Sequence, residues 1–348
     1  MLYDYMLPLK NGNFKKNLLE KSEQVMIESA SLAGNHTTQL LAETEQMNNI
    51  VNCYYSNELK FKNINISIIN DAISGNFSEN FQIQQVQDLC LCYLKFKDEC
   101  EKYFKYQVDN FYVDGDILPR IHKTLSYHPS AAISKDANLF IQHETFTFDG
   151  RPTSTKCEGI LNAISLQYFL NIGFGFNNTP ASILILDGML SNLKGYNLWS
   201  LSRGLFFNSK EYKNMRDFGD LTTFQGITRY LHFILDIALE QISFIKEKLK
   251  IDTLQQNLLQ HIVKTREEQY DGVALPKYAE LLLKELLIRG EIPRGAVKDI
   301  IGTEIRTATE LVRKLIKANY IQSTTAKGNI RLKFNEKLIT DIFTDLII

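Results

Sequence analysis

The sequence contains few of the residues that mark specialised classes of proteins. Its 348 residues include 7 prolines, 1 tryptophan and 5 cysteines, and its formal net charge is −1. The low proline content excludes a long proline-rich linker. A net charge near zero excludes binding to nucleic acid through overall charge, although it leaves room for a local basic patch. Hydrophobic residues make up 44% and charged residues 23%, which is typical of an ordinary folded protein.

Long apolar runs are missing as well. The longest one, from Ala181 to Leu190, is interrupted by Asp187 and is shorter than the roughly 18 residues of a membrane-spanning helix. The N-terminus has neither a basic segment nor a sustained apolar one, so we expect no signal peptide and a cytoplasmic protein without membrane contact. Because no C-x-x-C pair occurs, we expect buried free thiols and neither a disulfide framework nor a zinc site. The cysteines are Cys53, Cys90, Cys92, Cys100 and Cys157.

Apolar residues recur at spacings of three and four along much of the chain, which predicts a mainly α-helical fold. The clearest case is 227–247, where the apolar positions form one continuous stripe. Strict alternation, which is typical of strands, is confined to short segments such as 330–334. Other predicted helices cover 14–48 with a break at Gly34-Asn35, 80–108, 131–141 and 158–172.

The segment 276–348 combines helices with a pair of strands. A first helix is followed by a break at Pro293-Arg294-Gly295, a short helix that ends at Gly302, and a third helix that Thr303 caps. A hairpin then turns at Lys327-Gly328-Asn329. Helix, short helix, helix and hairpin is the order of a winged helix-turn-helix. The predicted apolar face of the third helix consists of Leu311, Val312, Leu315 and Ile316.

Charge in this C-terminal segment is compatible with DNA binding. Residues 291–333 hold nine basic and four acidic residues, a local charge of +5 within a chain of net charge −1. Such a surface can face phosphates, and we expect the contacts from Arg306, Arg313 and Lys327. The alternative is that the segment serves in packing or dimerisation and that its basic side chains only keep it hydrated.

The segment 142–156 collects residues that can carry chemistry just before a predicted helix. They are His143, Asp149, Gly150, Arg151 and Lys156. The backbone N–H groups at a helix start, together with Arg151 and Lys156, could hold phosphate oxygens. His143 could act as a general base, and Asp149 could bind a metal or orient a nucleophile.

A structural interpretation of the same segment is also open. Thr155 and Glu158 have the spacing of a capping box, which would satisfy the free N–H groups of the helix within the chain. The carboxylate of Glu158 would also repel an incoming phosphate. On spacing alone, a capped structural loop is favoured over an anion site.

Several further segments share sequence features with one known family. They resemble Fic-domain proteins of the branch with a C-terminal winged helix. The family elements that they match are the helices after the catalytic motif, the long closing helix, the opening of the winged helix and the helix that leads into the motif. The resemblance covers 197–335 well and 120–160 in patches. The matching segments are Asn197–Leu205, Gly219–Thr222, Tyr230–Ile245, Arg289–Gly295 and His128–Ile133.

The resemblance implies a fold, a reaction and partners. The fold is a Fic-like helical core over 1–250, a connecting segment over 251–275 and a winged helix-turn-helix domain over 276–348. The reaction is transfer of AMP from ATP, with Mg²⁺, to a hydroxyl group of a protein target. A regulatory protein partner, DNA bound by the winged helix, and a second copy of the chain are the other expected partners.

The family motif HPFxDGNGRxxR is strongly altered here. Depending on the alignment, Gln142 or Thr145 takes the position of the catalytic histidine. The resemblance leaves His143 as a displaced base, Asp149 as the metal ligand, and Asp149, Gly150, Arg151 and Lys156 as the nucleotide-binding residues. A displaced base misses the ~3 Å reach that proton transfer requires unless the loop compensates for the displacement. The alternative function is therefore a catalytically inactive Fic-fold regulatory or scaffold protein that binds nucleotide, protein or DNA.

The N-terminal segment 22–35 resembles the inhibitory helix of the same family, Ser/Thr-x-x-x-Glu-Gly/Asn. Ser29 and Gly34 match this pattern and Asn35 follows it, but Ala33 stands where the glutamate belongs. In the family this glutamate pairs with the last arginine of the motif, which here is at best Lys156. Both halves of the expected ion pair are missing. The alternative is an N-terminal helix that ends in a Gly-Asn cap.

Overall fold

The computed structural model describes residues 12–34, 36–104, 155–174, 179–191, 193–217, 223–267, 274–323, 325 and 328–347. Within these ranges the protein is mainly α-helical, which confirms the fold class predicted from apolar periodicity. Its helices are α1 Gly12–Leu32, α2 Thr38–Phe61, α3 Ile66–Ile73, α4 Phe81–Phe104, α5 Lys156–Phe174, α6 Thr179–Leu190, α7 Leu201–Phe207, α8 Ser209–Asp217, α9 Phe224–Lys248, α10 Ile251–Arg266, α11 Ala279–Arg289, α12 Val297–Ile301, α13 Ile305–Lys317 and α14 Glu336–Ile342. Its strands are β1 Glu291–Ile292, β2 Ile321–Gln322 and β3 Ile330–Leu332.

The described residues form two compact units. Unit 1 comprises the described parts of 1–32 and 48–243, and unit 2 comprises those of 33–47 and 244–348. Most predicted helices are observed: the break at Gly34-Asn35 separates α1 from α2, the helix over 158–172 is α5, and the stripe over 227–247 belongs to α9. The helix predicted over 131–141 lies outside the described residues.

Unit 1 is built around α5 and α6. Helix α5 packs against α6 and α1, and α4 packs against α3 and α6. Glycine allows close approach at two of its helix contacts. A Cβ atom at Gly188 would lie 2.5 Å from Cε1 of Phe96, and one at Gly204 would lie 2.4 Å from Cγ2 of Ile237. Larger residues at these two positions would push the helices apart.

Unit 2 contains a small antiparallel sheet with the strand order β1-β3-β2. Ile292 pairs with Ile330, and Ile321 pairs with Leu332, so buried apolar side chains of all three strands share one face. Helix α11 packs against α12, β1 and β3, and α13 packs against α12 and β2. Helix α10 packs against α11 and α14.

Two details of α13 differ from the sequence prediction. Ile316 is 39% exposed, since the buried face is formed by Leu311, Val312 and Leu315 and the side chain of Ile316 is rotated about 100° from its neighbour. Thr303 does not cap the helix. Its N–H donates to the carbonyl oxygen of Lys298 at 3.0 Å and so belongs to the turn that ends α12. The residue before α13 is Glu304, which makes no side-chain cap bond.

The cysteines are free thiols, as expected. Cys53, Cys90, Cys92 and Cys100 are buried, whereas Cys157 is half-buried. None of the helices in the described part of the chain is long and apolar enough to cross a lipid bilayer.

Candidate functional site

Most residues predicted to act in catalysis lie outside the described residues. The general base His143 and the phosphate and metal ligands Asp149, Gly150 and Arg151 belong to this group. Asn35 of the inhibitory-helix-like segment and Lys327 of the predicted hairpin turn also lie outside them. Their roles therefore stay predictions.

Lys156 is described, and it lies exposed at the first residue of α5. Directly before it, Thr155 accepts a hydrogen bond at its Oγ1 from the backbone N–H of Glu158 at 3.2 Å. This bond occupies one of the free N–H groups of the helix, as the spacing of Thr155 and Glu158 predicts. The described start of α5 is thus a capped helix end, with fewer donors left for a phosphate than an uncapped end has.

The start of α5 also lies against α1. The thiol of Cys157 is hydrogen-bonded to Ser22 of α1, and Glu23 of α1 is close enough to act on it electrostatically. Burial is the main reason that the pKa of Cys157 is raised. Helix α1, which ends in the inhibitory-helix-like segment, therefore packs beside the helix that follows the motif-like loop.

Ser29 of the inhibitory-helix-like segment is buried in unit 1, where its side chain makes two hydrogen bonds. Its Oγ donates to the carbonyl oxygen of Lys194 and accepts from Nε1 of Trp199, both at 3.0 Å. Gly195 has a φ of +82°, and a Cβ there would lie 2.0 Å from the carbonyl oxygen of Ser29. Ala33 and Gly34 form the turn that follows α1. The serine thus has a structural role that does not require a glutamate at position 33.

A buried polar cluster around Asp187, which the sequence did not predict, lies in unit 1. The carboxylate accepts hydrogen bonds from the hydroxyl group of Tyr196 and, at 2.8 Å, from that of Ser202. Burial raises the pKa of Asp187 to about 6, although both hydrogen bonds and the charge of Lys97 act in the opposite direction. The buried Lys97 donates from Nζ to Oδ1 of Asn49 at 2.8 Å. One sequence signal pointed to this site, namely a charge within the longest apolar run.

The buried polar cluster extends to Asn52. Its Nδ2 donates to the hydroxyl oxygen of Tyr93 at 2.8 Å, and its Oδ1 accepts from the hydroxyl group of Ser200. These bonds join α2, α4 and the segment before α7. Among the described residues, no group of three His, Cys, Asp or Glu side chains is arranged to hold a metal. Because these groups bond to one another, we assign the cluster a structural role.

Unit 2 holds a second buried cluster, centred on His261. Nδ1 of this ring lies 2.7 Å from Oδ2 of Asp341, and Nε2 lies 2.8 Å from the hydroxyl oxygen of Tyr320. Lys264 pairs with the other carboxylate oxygen at 2.6 Å. His261 is therefore a histidine of the protein core. Its carboxylate partner is 80 residues away in the chain, so sequence spacing could not indicate it.

The exposed face of α13 is the candidate nucleic-acid interface. Arg306, Glu310, Arg313 and Lys317 follow one another at spacings of three and four residues and are all exposed. Within the described part of the chain, Arg306, Arg313 and Lys317 form no ion pair within 4.0 Å, whereas Lys314 pairs with Glu310 at 3.1 Å. The pKa of Glu310 is lowered mainly by Lys314 and also by Arg313 and Arg306. This face therefore carries a clear excess of positive charge.

Other basic side chains nearby are already engaged. Arg331 on β3 pairs with Glu291 at 2.6 Å, and the pKa of this glutamate is lowered by hydrogen bonds from Asn329 and Arg331. Nε of Arg294 donates to the carbonyl oxygen of Gly328 at 3.1 Å. These contacts join residues 328–331 to residues 291–294. Among the described residues of this segment, the exposed basic side chains without an ion-pair partner include Arg306, Arg313 and Lys317 on α13.

No protein-family model matches this chain, and a search of curated proteins finds no significant relative. The resemblance to Fic-domain proteins therefore rests on the sequence segments alone.

Proposed function

We propose that the chain is a regulatory protein with a Fic-like helical core and a C-terminal winged helix-turn-helix that binds double-stranded DNA. The observation that carries the proposal is the exposed face of α13. There Arg306, Arg313 and Lys317 have no ion-pair partner among the described residues. Unpaired cations arranged along one helix face are suited to phosphate oxygens, because their binding releases the counterions of DNA.

The order of elements supports the proposal. Helix α11, strand β1, helices α12 and α13 and strands β2 and β3 follow one another as in a winged helix, whose third helix enters the major groove. Helix α13 buries its apolar side within unit 2 and directs its basic side outward. It is about 20 Å long, which matches helices that lie in that groove.

The side chains of this face suggest a division of roles. Arg306 and Arg313 can each hold a phosphate or a guanine in bidentate fashion. Ile305, which is 68% exposed at the start of α13, can contact a thymine methyl group. Glu310 lies between the arginines and opposes phosphate binding, so it limits non-specific affinity.

Salt-dependent binding to a fluorescently labelled mixed-sequence duplex tests this proposal. For the wild type, the logarithm of the binding constant should fall linearly with the logarithm of the salt concentration. Replacing Arg306 and Arg313 by alanine should reduce that slope by about 1.8 if each contacts one phosphate. Arg289→Ala is the control, because this arginine is exposed but pairs with Glu285 within α11. Absence of salt-dependent binding by the wild type overturns the proposal.

AMP transfer is the second candidate function, and one observation favours it. Helix α1, whose end resembles an inhibitory helix, packs against α5, which directly follows the motif-like loop. In this proposal His143 takes the proton of a target hydroxyl group, whose oxygen attacks the α-phosphorus of ATP so that pyrophosphate leaves. Gly150, Arg151 and Lys156 would bind the phosphates, and Asp149 would hold Mg²⁺, which would supply positive charge to the phosphates.

Incubation with α-labelled ATP, Mg²⁺ and a cell lysate tests this second function. Label should appear on a target protein and should be lost in His143→Ala. His232→Ala is the matched control, because this half-buried histidine on α9 has no role in the proposed transfer. ATP binding without any transfer would support the scaffold function. Transfer that His143→Ala leaves unchanged contradicts the assigned base.

A further inference from the structure

Two cysteine side chains meet in the core of unit 1. Cys53 on α2 and Cys90 on α4 are both 0% exposed, and their sulfur atoms lie 3.0 Å apart. Both are free thiols. This separation is about 1 Å longer than a disulfide bond, so a small movement of the two side chains brings the sulfur atoms into bonding distance.

The neighbouring contacts hold the two helices in this arrangement. Next to Cys53, the side chain of Asn52 donates to the hydroxyl oxygen of Tyr93, three residues beyond Cys90, at 2.8 Å. Nζ of Lys97 on α4 also donates to Oδ1 of Asn49 on α2 at 2.8 Å. The thiols therefore face each other across a helix contact that is already fixed by hydrogen bonds.

We propose that Cys53 and Cys90 form an intramolecular disulfide when a peroxide-class oxidant reaches the protein, and that this bond joins α2 to α4. In the first step, one thiolate attacks a peroxide oxygen, and its sulfur becomes a sulfenic acid as water is released. In the second step, the other sulfur attacks the sulfenic sulfur, the S–S bond forms, and the S–OH oxygen leaves as water with the remaining thiol proton. Two thiols and one hydrogen peroxide thus give one disulfide and two waters.

Burial makes this a slow reaction. It raises the pKa of Cys53 well above its usual value, and the hydrogen bond to Cys90 acts in the same direction. Of the charged groups that face Cys53, Asp187 on α6 raises its pKa further and Lys97 on α4 lowers it. Because the thiolate is the reactive form, oxidation should be faster at higher pH and should require local opening of unit 1.

The disulfide should stabilise the protein against unfolding. It closes a loop between positions that are 37 residues apart, which removes conformational freedom from the unfolded chain. We expect the melting temperature of the oxidised protein to be roughly 10 °C higher than that of the reduced protein. Dithiothreitol should reverse the shift once the oxidised protein is opened by mild denaturation.

Peptide mapping of the full-length protein tests the proposal. After treatment with hydrogen peroxide and alkylation of the remaining thiols, a digest without reductant should contain one cross-linked peptide that joins Cys53 to Cys90. Cys90→Ala should lose both the cross-link and the shift in melting temperature. Cys157→Ala should keep both, since Cys157 lies beside Ser22 on α1.

Three outcomes would overturn the proposal. They are alkylation of both Cys53 and Cys90 in the oxidised wild type, a cross-link that joins two chains, and oxidation of either cysteine to a sulfinic acid without a cross-link. The peptide map of the oxidised wild type tests the proposed disulfide even if Cys90→Ala does not fold.

Discussion

Each unit buries a carboxylate within a polar cluster, and these two clusters balance charge in different ways. In unit 1, hydroxyl groups donate to Asp187, and burial raises the pKa of this carboxyl group to about 6. In unit 2, the carboxylate of Asp341 lies 2.6 Å from Nζ of Lys264 and 2.7 Å from a ring nitrogen of His261. Mainly neutral donors thus solvate the first carboxylate, whereas a direct ion pair balances the second.

This difference gives the two clusters opposite responses to pH. The pKa of Asp187 in the folded state lies above its ordinary value of 3.8, so the folded state binds the proton more tightly. Unit 1 therefore gains stability from this group as the pH falls from about 7 to about 4. Burial lowers the pKa of His261 below its ordinary value of 6.5, so protonation opposes folding and unit 2 loses stability as the pH falls below 6.5.

Asp187→Ala should have the largest effect of the changes considered. It leaves the hydroxyl groups of Tyr196 and Ser202 without their acceptor and removes the carboxylate that faces the buried Lys97. We expect a loss of about 3–5 kcal/mol in the free energy of unfolding, measured by urea denaturation. Ser191→Ala on the same segment is the control, since its hydroxyl group bonds only to the carbonyl oxygen of Gly188 among the contacts described. A loss equal to that of the control would mean that the cluster does not stabilise unit 1.

Asp187→Asn isolates the pH response of unit 1. The amide keeps the shape of the side chain but cannot ionise. Relative to this variant, the wild type should gain up to about 3 kcal/mol of stability as the pH falls from 7 to 4, because the pKa of Asp187 is raised by about two units. Denaturation curves of both proteins across this range measure the difference, in which all other titrations cancel. A difference that stays constant with pH would show that Asp187 titrates as in the unfolded chain.

Asp341→Ala is the corresponding change in unit 2, and it should cost less. It removes one of the two hydrogen-bond partners of His261 but leaves Tyr320 in place, and Lys264 is 40% exposed and can be hydrated instead. We expect a loss of about 1–3 kcal/mol in the free energy of unfolding. A loss larger than that of Asp187→Ala would contradict the comparison, because an ion pair open to water would then matter more than a fully enclosed carboxylate.

His261→Gln should remove the acid sensitivity of unit 2. Glutamine has no proton to gain near neutral pH. The stability of the wild type relative to this variant should therefore decrease as the pH falls below 6.5, as measured by melting temperature over a pH series. If the wild type instead gains stability on acidification, the hydrogen bond with Asp341 outweighs burial at this ring.

The helical architecture could be predicted from the sequence because local periodicity determines it. The stripe over 227–247 became α9, and Gly302 ends α12 with a φ of +62° in the left-handed region that glycine favours. The membership of 33–47 in unit 2 could not be predicted. An amphipathic segment shows which of its faces is buried, but it does not show which core receives that face.

The clusters were harder to predict than the helices. His261 meets Asp341 only through folding, and no spacing rule joins positions 80 residues apart. For Asp187 the sequence signal is a charged residue within an apolar run. Such a charge indicates a buried carboxylate, but it does not identify the groups that donate hydrogen bonds to it. The motif-like loop differs from both, since most of its candidate residues lie outside the described residues.

The exposed carboxylate of Glu310 on α13 is the third case in the comparison. Its replacement should have the smallest effect on stability. Water and the neighbouring cations keep it ionised, and its pKa is lowered. Glu310→Gln should leave the pH dependence of stability almost unchanged above pH 5. In the proposed DNA complex it removes the negative charge between Arg306 and Arg313, so affinity for a mixed-sequence duplex should rise severalfold at low salt and converge with the wild type at high salt.

The control for this change is Glu280→Gln, which removes a carboxylate that pairs with Lys284 on α11. It should leave DNA affinity unchanged at every salt concentration. Weaker binding by Glu310→Gln on one particular sequence would mean that Glu310 accepts a hydrogen bond from a cytosine amino group and contributes to base recognition. The three carboxylates would then differ in what surrounds each one: hydroxyl groups in unit 1, a cation in unit 2, and a nucleobase on the surface of α13.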